Sequence, residues 1–157
     1  MHLGVERRSI TFNTAPRGKG SASAWVVAQY PEVRGQARGT WNQASLGFLV
    51  VIDGDNKGVL ERKKQLSIAP HDPRAPCDRI AIFVPTWSVE TWVLWLSGTD
   101  VTEAKSYVSE VSPERFRERL ESAISAWSSP RANEEKSVPS LSHARTEVKR
   151  LPLVGRT

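Results

Sequence analysis

Two carboxylates one residue apart, Asp53 and Asp55, close the most apolar run of the chain, "GFLVVIDGDNKG" from Gly47 to Gly58. Held at a strand end with both side chains ionised, they repel each other. A shared divalent cation removes that cost, and oxygen ligands suit Mg2+ or Mn2+. Gly54 between them lets the backbone turn tightly and leaves room for a ligand. The same spacing also serves a polar turn that caps the next helix. A third acid, Glu90 in "VPTWSVETW", falls in the first turn of the helix after the next apolar strand. If the two strands are neighbours, Glu90 comes towards the Asp pair and completes a carboxylate site. On its own it is a helix N-terminal acid favoured by the dipole. Asp53, Asp55 and Glu90 are the candidate catalytic residues, and Asp53 and Asp55 the candidate metal ligands.

Chemistry at phosphate also needs cations. "PRGKGS", Pro16 to Ser21, puts Arg17 and Lys19 among glycines just ahead of a helix, where backbone amides can hold a phosphate. It is not a Walker A loop, because Lys19 is followed by Gly20 and no strand-to-helix GxxxxGK[ST] pattern is present. Arg62 and Lys63 in "ERKKQL" are weaker phosphate contacts. Most such clusters are flexible surface turns or solvated helix faces. Six tryptophans are many for this length, and Trp87, Trp92 and Trp95 lie close together. They belong to a core or to a protein-partner surface. The single Cys77 and the scattered His2, His71 and His143 form no ligand spacing.

Several elements must position these groups. "SITFN", Ser9 to Asn13, alternates as a short strand. Ser21 or Ser23 caps a helix through "ASAWVVAQY", and Pro31 to Gly39 reads as polar and irregular. Leu46 to Ile52 is a strand whose continuous apolar character suits a parallel sheet covered on both faces. Val59 to Ile68 predicts a helix that buries Val59, Leu60 and Leu66 behind a basic outer face. "APHDPRAPCD" is a proline-rich loop, and Arg79 to Val84 is the next strand, ended by Pro85. Ser88 caps a helix through "VETWVLWLSG", closed by Gly98. Ser112-Pro113-Glu114 starts another helix, with Phe116, Leu120, Ile124 and Trp127 on one face. A final helix from Leu141 to Leu151 turns Leu141, Ala144, Val148 and Leu151 inward. The alternation of strands and helices predicts an α/β fold with a small, mostly parallel sheet flanked by helices, and with C-terminal helices. The expected divisions are a domain over 1–128, a polar linker over 129–140 and a C-terminal helix over 141–152.

With 157 residues, 39% of them hydrophobic and 25% charged, the chain can build one real core. Its formal net charge of +5 and pI near 9.7 are compatible with a polyanionic partner such as nucleic acid. No stretch approaches the roughly 18 to 20 apolar residues of a membrane span. The first residues lack the apolar stretch of a signal peptide, and one cysteine cannot form an internal disulfide, so a cytoplasmic location is expected.

The succession "RRSITFNTAPRGKGSASAWV", "FLVVIDGDN", "ERKKQL", "RIAIFVPTWSVETW" resembles the Toprim domain, and more closely uncharacterised bacterial Toprim-like proteins, over roughly Val5 to Gly98. The resemblance implies a Toprim/Rossmann-like fold. Asp53 and Asp55 would be the family's metal-binding DxD, with Mg2+ or Mn2+ as cofactor and nucleic-acid phosphodiesters as substrate. The family's general acid or base, a glutamate ending its first strand, has no counterpart: Glu6, the one acid among the first 31 residues, precedes the first strand. A misassigned start, an N-terminal truncation or a real loss would each explain the departure, which bears on catalysis more than on fold. Glu90 matches only the "ETW" of the closer relatives. The alternative expectation is a non-catalytic interaction module, an accessory protein of a phage-defence or mobile-element system, whose Trp87, Trp92 and Trp95 meet a protein partner.

Overall fold

The computed structural model describes residues 10–16, 21–43, 45–67, 74–127 and 134–152. The fold is α/β. Its described strands are two, β1 (Phe48–Val51) and β2 (Ile80–Phe83), which pair in parallel with Phe48 opposite Ile80 and Val51 opposite Phe83. Parallel neighbours need a crossover, and α2 (Gly58–Ser67) supplies it.

Helices α1 (Ala22–Gly39) and α2 cover one face of the sheet. Tyr30, Val50, Ile52, Leu66, Ile80, Ile82 and Val84 form the core there. The other face of β2 meets α3 (Val89–Leu96), α4 (Pro113–Ala126) and α6 (Pro139–Glu147), with the one-turn α5 (Glu134–Ser137) leading into α6. Phe83 projects into this second core, edge-on to Trp92 at 5.9 Å between ring centroids and stacked on Trp127 at 5.8 Å.

Several expectations need correction. Residues 10–13 are irregular rather than a strand, and Phe12 is 79% exposed; Ser9 lies outside the described residues. The first helix does not stop at Pro31 but runs on to Gly39. Proline removes one helical N–H, yet Tyr30 and Arg34 are both buried on either side of it, and Arg34 pairs with Asp78 at 3.6 Å. These tertiary anchors outweigh the local defect. β1 is covered on one face only: Leu49 and Val51 are exposed. In α2, Leu60 is exposed and Arg62 is buried. Arg62 lies four residues before Leu66, hence on the same helical face. In α4 the buried residue is Ala123, with Phe116, Ala126 and Trp127 packed beside it, whereas Leu120 and Ile124 are exposed. The start of α4 is as expected, with Ser112 accepting from the Arg115 N–H.

Of the segment expected as linker and appended helix, residues 134–152 are described, and Val138, Leu141 and Ala144 there have no exposure and belong to the second core. Helix α6 also finishes the sheet. On the edge of β2 away from β1, the Ile82 N–H donates to Glu147 Oε2 at 3.0 Å, and the Ile80 carbonyl accepts from Arg74 Nη1 at 2.7 Å. Arg74 and Glu147 grip each other with two parallel bonds, and Lys63 Nζ donates to Glu147 Oε1 at 3.1 Å. Burial alone would raise the Glu147 carboxyl; Arg74, the Ile82 N–H and Lys63 hold it down at about 2. The neighbouring His143 imidazole is lowered by its burial and by Lys63.

No helix among the described residues is long and apolar enough to cross a membrane.

Candidate metal centre

The two strands bring their following loops side by side. Phe48 N–H donates to the Arg79 carbonyl and Ile52 N–H to that of Phe83, and the ladder continues past the strands with Gly54 N–H to Pro85 O at 2.8 Å. Asn56 N–H then reaches Thr86 O at 3.2 Å. A Cβ at position 54 would stand 2.2 Å from Thr86 O and 2.6 Å from Pro85 O, so only glycine permits this approach. The room at Gly54 is thus filled by backbone, not kept for a ligand. The turn itself is made by Asp55 and Asn56, both left-handed at φ 46° and 65°. Asp and Asn tolerate that region better than other side-chain-bearing residues, and such strain collects at functional sites.

Asp55 is exposed, and its Oδ2 accepts from Ser23 Oγ at 2.8 Å and from the Arg62 guanidinium. Arg62 also donates to the Asp53 carbonyl at 2.8 Å and to Gln65 at 2.9 Å. The guanidinium therefore clamps the turn from below.

Asp53 is placed differently. Its carboxylate is partly buried, and no described residue donates a hydrogen bond to it. Burial pushes its pKa up to about 6, and the charges of Asp55 and Glu90 add to that, against a smaller opposing effect of Arg62. Glu90, in the first turn of α3 after the cap position Ser88, is thus close enough to act on Asp53. The juxtaposition of Asp53, Asp55 and Glu90 expected from neighbouring strands is present as an electrostatic cluster. It is looser than a three-ligand cage: among the described residues no three His, Cys, Asp or Glu side chains stand close enough to hold an ion together. Two carboxylates with water still suit Mg2+, which keeps several waters and takes one or two protein carboxylates. Asp53 is a hard oxygen donor with no hydrogen-bond donor among the described residues, and Asp55, already paired with Arg62 through Oδ2, is a second; the two carboxylates would suit such an ion.

Of the expected phosphate contacts, Arg17 and Lys19 lie outside the described residues. The described chain resumes at Ser21, two residues before the Ser23 that bonds Asp55. Arg62 is buried against the Asp turn, and Lys63 is bound to Glu147 and His143. The Lys63 side chain stays partly exposed. Trp92 and Trp95 are buried in the second core, and Trp87 donates from Nε1 to the Glu103 carbonyl at 3.2 Å. Trp92 and Trp95 therefore build the core, and Trp87 is half-buried.

Two residues of this neighbourhood escaped the reading of the sequence. Ser23 reaches Asp55 from 32 positions away. Glu103 accepts from Thr86 Oγ1 and from the Ser140 N–H at 3.0 Å, while Trp92 Nε1 donates to Ser140 Oγ at 2.7 Å. It fastens the loop that backs Gly54 to α6. An isolated Ser in a helix start or Glu in a loop carries no local signature for such a partner.

No family model, curated protein or solved structure matches the chain.

Proposed function

We propose that the chain is a divalent-cation-binding, Toprim-like domain that acts on nucleic-acid phosphodiesters. The observation that supports this most is the Asp53 carboxylate: partly buried, without a hydrogen-bond donor among the described residues, and beside two further acids. A fold does not leave such a group uncompensated without cost. Asp53 and Asp55 would hold the ion, and a Mg2+ or Mn2+ there supplies polarisation of a phosphate oxygen. Arg62 and Ser23 orient Asp55, and Gly54 sets the depth of the turn. Glu90 is the third carboxylate at hand for moving a proton. The +5 charge favours a polyanionic substrate.

The test is a melting titration with Mn2+ and Mg2+, followed by a cleavage assay on single- and double-stranded DNA and RNA. A metal-dependent rise in melting temperature that disappears in Asp53→Asn, together with metal-dependent cleavage, is the expected result. A second reading, the non-catalytic interaction module, draws on the occupied Oδ2 of Asp55, which suits a purely structural turn. No metal response in wild type would favour it.

A further inference from the structure

The first turn of α3 serves two places at once. Glu90 acts on Asp53 on one side. On the other it lines an open groove of about 420 Å³ whose remaining walls are Val108, Val111, Pro113, Phe116 and Arg117. The volume lies at the lower end of small-molecule sites, roughly 300 to 1,000 Å³, enough for one nucleoside rather than an extended chain. Val108 is exposed, and Phe116 is partly buried against the second core, so its ring is fixed from behind. Arg117 is exposed one residue further along α4. An anchored aromatic face, aliphatic walls, one carboxylate acceptor and one guanidinium match the parts of a nucleotide. The ring stacks a base, the carboxylate accepts from an exocyclic amine, and the guanidinium meets a phosphate.

We infer that this groove receives one unstacked base of a single nucleic-acid strand whose backbone crosses the Asp53–Asp55 turn. Phe116 stacks on the base, Glu90 accepts from its amino edge and Arg117 pairs with an adjacent phosphate. The inference deepens the proposed function and rests on it for the identity of the polymer. It narrows the substrate to single-stranded or locally melted nucleic acid, because a base inside a duplex cannot enter.

Fluorescence anisotropy with a short labelled strand, in DNA and in RNA form, tests this in EDTA and in Mn2+. Phe116→Leu keeps an apolar side chain against the core and loses the ring; affinity should fall about tenfold. Arg117→Gln, at an exposed position, should weaken binding and flatten its salt dependence. A strand carrying one abasic nucleotide should bind wild type more weakly at a single position of the scan, with no additional loss in Phe116→Leu. Wild-type affinity in both variants overturns the inference and leaves the groove to another occupant such as a peptide, as does failure of wild type to bind either strand. If Phe116→Leu melts early, Arg117→Gln and the abasic scan decide the matter. The metal reading is scored separately by the Mn2+ melting shift. A retained shift with unaltered strand binding in the variants sinks the groove alone. A missing shift with strand binding still lost in the variants sinks the metal site alone.

Discussion

Arg74 and Glu147, 73 positions apart, pair across the outer edge of β2 and present to it a donor and an acceptor at the spacing of a neighbouring strand. Ile80 C=O and Ile82 N–H face away from β1, and in a larger sheet both would be met by backbone. Here a guanidinium and a carboxylate take those roles, and their mutual charge keeps each in place.

The pair should therefore matter more than a surface salt bridge. Glu147→Ala leaves Arg74 and the Ile82 N–H without their partner in a buried setting, and should cost roughly 3 to 5 kcal/mol in urea unfolding. Glu147→Gln should cost less. The Glu147 carboxyl lies at about 2 against an ordinary 4.5. Its stabilisation is thus full above about 4.5 and lost as pH falls towards 2. Acid unfolding curves of wild type and Glu147→Gln should converge over that window.

Asp53 has the opposite sign. It titrates near 6 in the fold against an ordinary 3.8. The folded chain holds a proton that the unfolded chain has already released, so stability falls as pH rises from about 4 to about 6 and stays low above. Asp53→Asn should stabilise the metal-free protein at pH 7, by less than the full shift implies because the partly exposed carboxylate is screened by solvent, and change little at pH 4. Thermal melts across pH read this directly. A wild type that gains no stability on acidification over that range would count against the cluster.

The same proton competes with a cation. The Mn2+ melting shift should grow as pH rises through 6 and be small at pH 5. Calorimetric titration at the two pH values should show proton release on binding at the lower one.

Gly54→Ala drives a methyl group into the Pro85 and Thr86 carbonyls. Backbone must move, at about 1 to 3 kcal/mol, and the turn that carries Asp55 should shift with it. The Mn2+ response should weaken by more than the loss of stability explains. Glu103→Ala, which frees Thr86 from α6, should show a milder form of the same pattern, with partial rescue in Glu103→Gln.

How far these features can be read from residue order depends on range. The apolar runs at Phe48 to Ile52 and Ile80 to Val84, the cap at Ser112 and the stop at Gly98 are local signals, and they place β1, β2 and two helices well. The neighbourhood of Asp53, Asp55 and Glu90 also follows from adjacent strands. Choices made by tertiary contact are not local. Helix α1 continues through Pro31 because Tyr30 and Arg34 are held in the interior. Arg62 turns inward, and Leu60 outward, because a carboxylate and a carbonyl wait there for a guanidinium. Leu120 and Ile124 matched an apolar stripe, yet Ala123 is the residue small enough for close packing of α4 against α3. Ser23, Glu103 and Glu147 were invisible for the same reason: their partners lie 17 to 84 positions away.

The two rims of the sheet are not equivalent. On β2 the ion pair already answers the outward amide and carbonyl, so that rim is closed to growth. On β1 the outward groups of Leu49 and Val51 have no strand beside them among the described residues, and both side chains are open to water. Any enlargement of this architecture, by insertion during evolution or by deliberate grafting of an extra hairpin, has a single direction available to it.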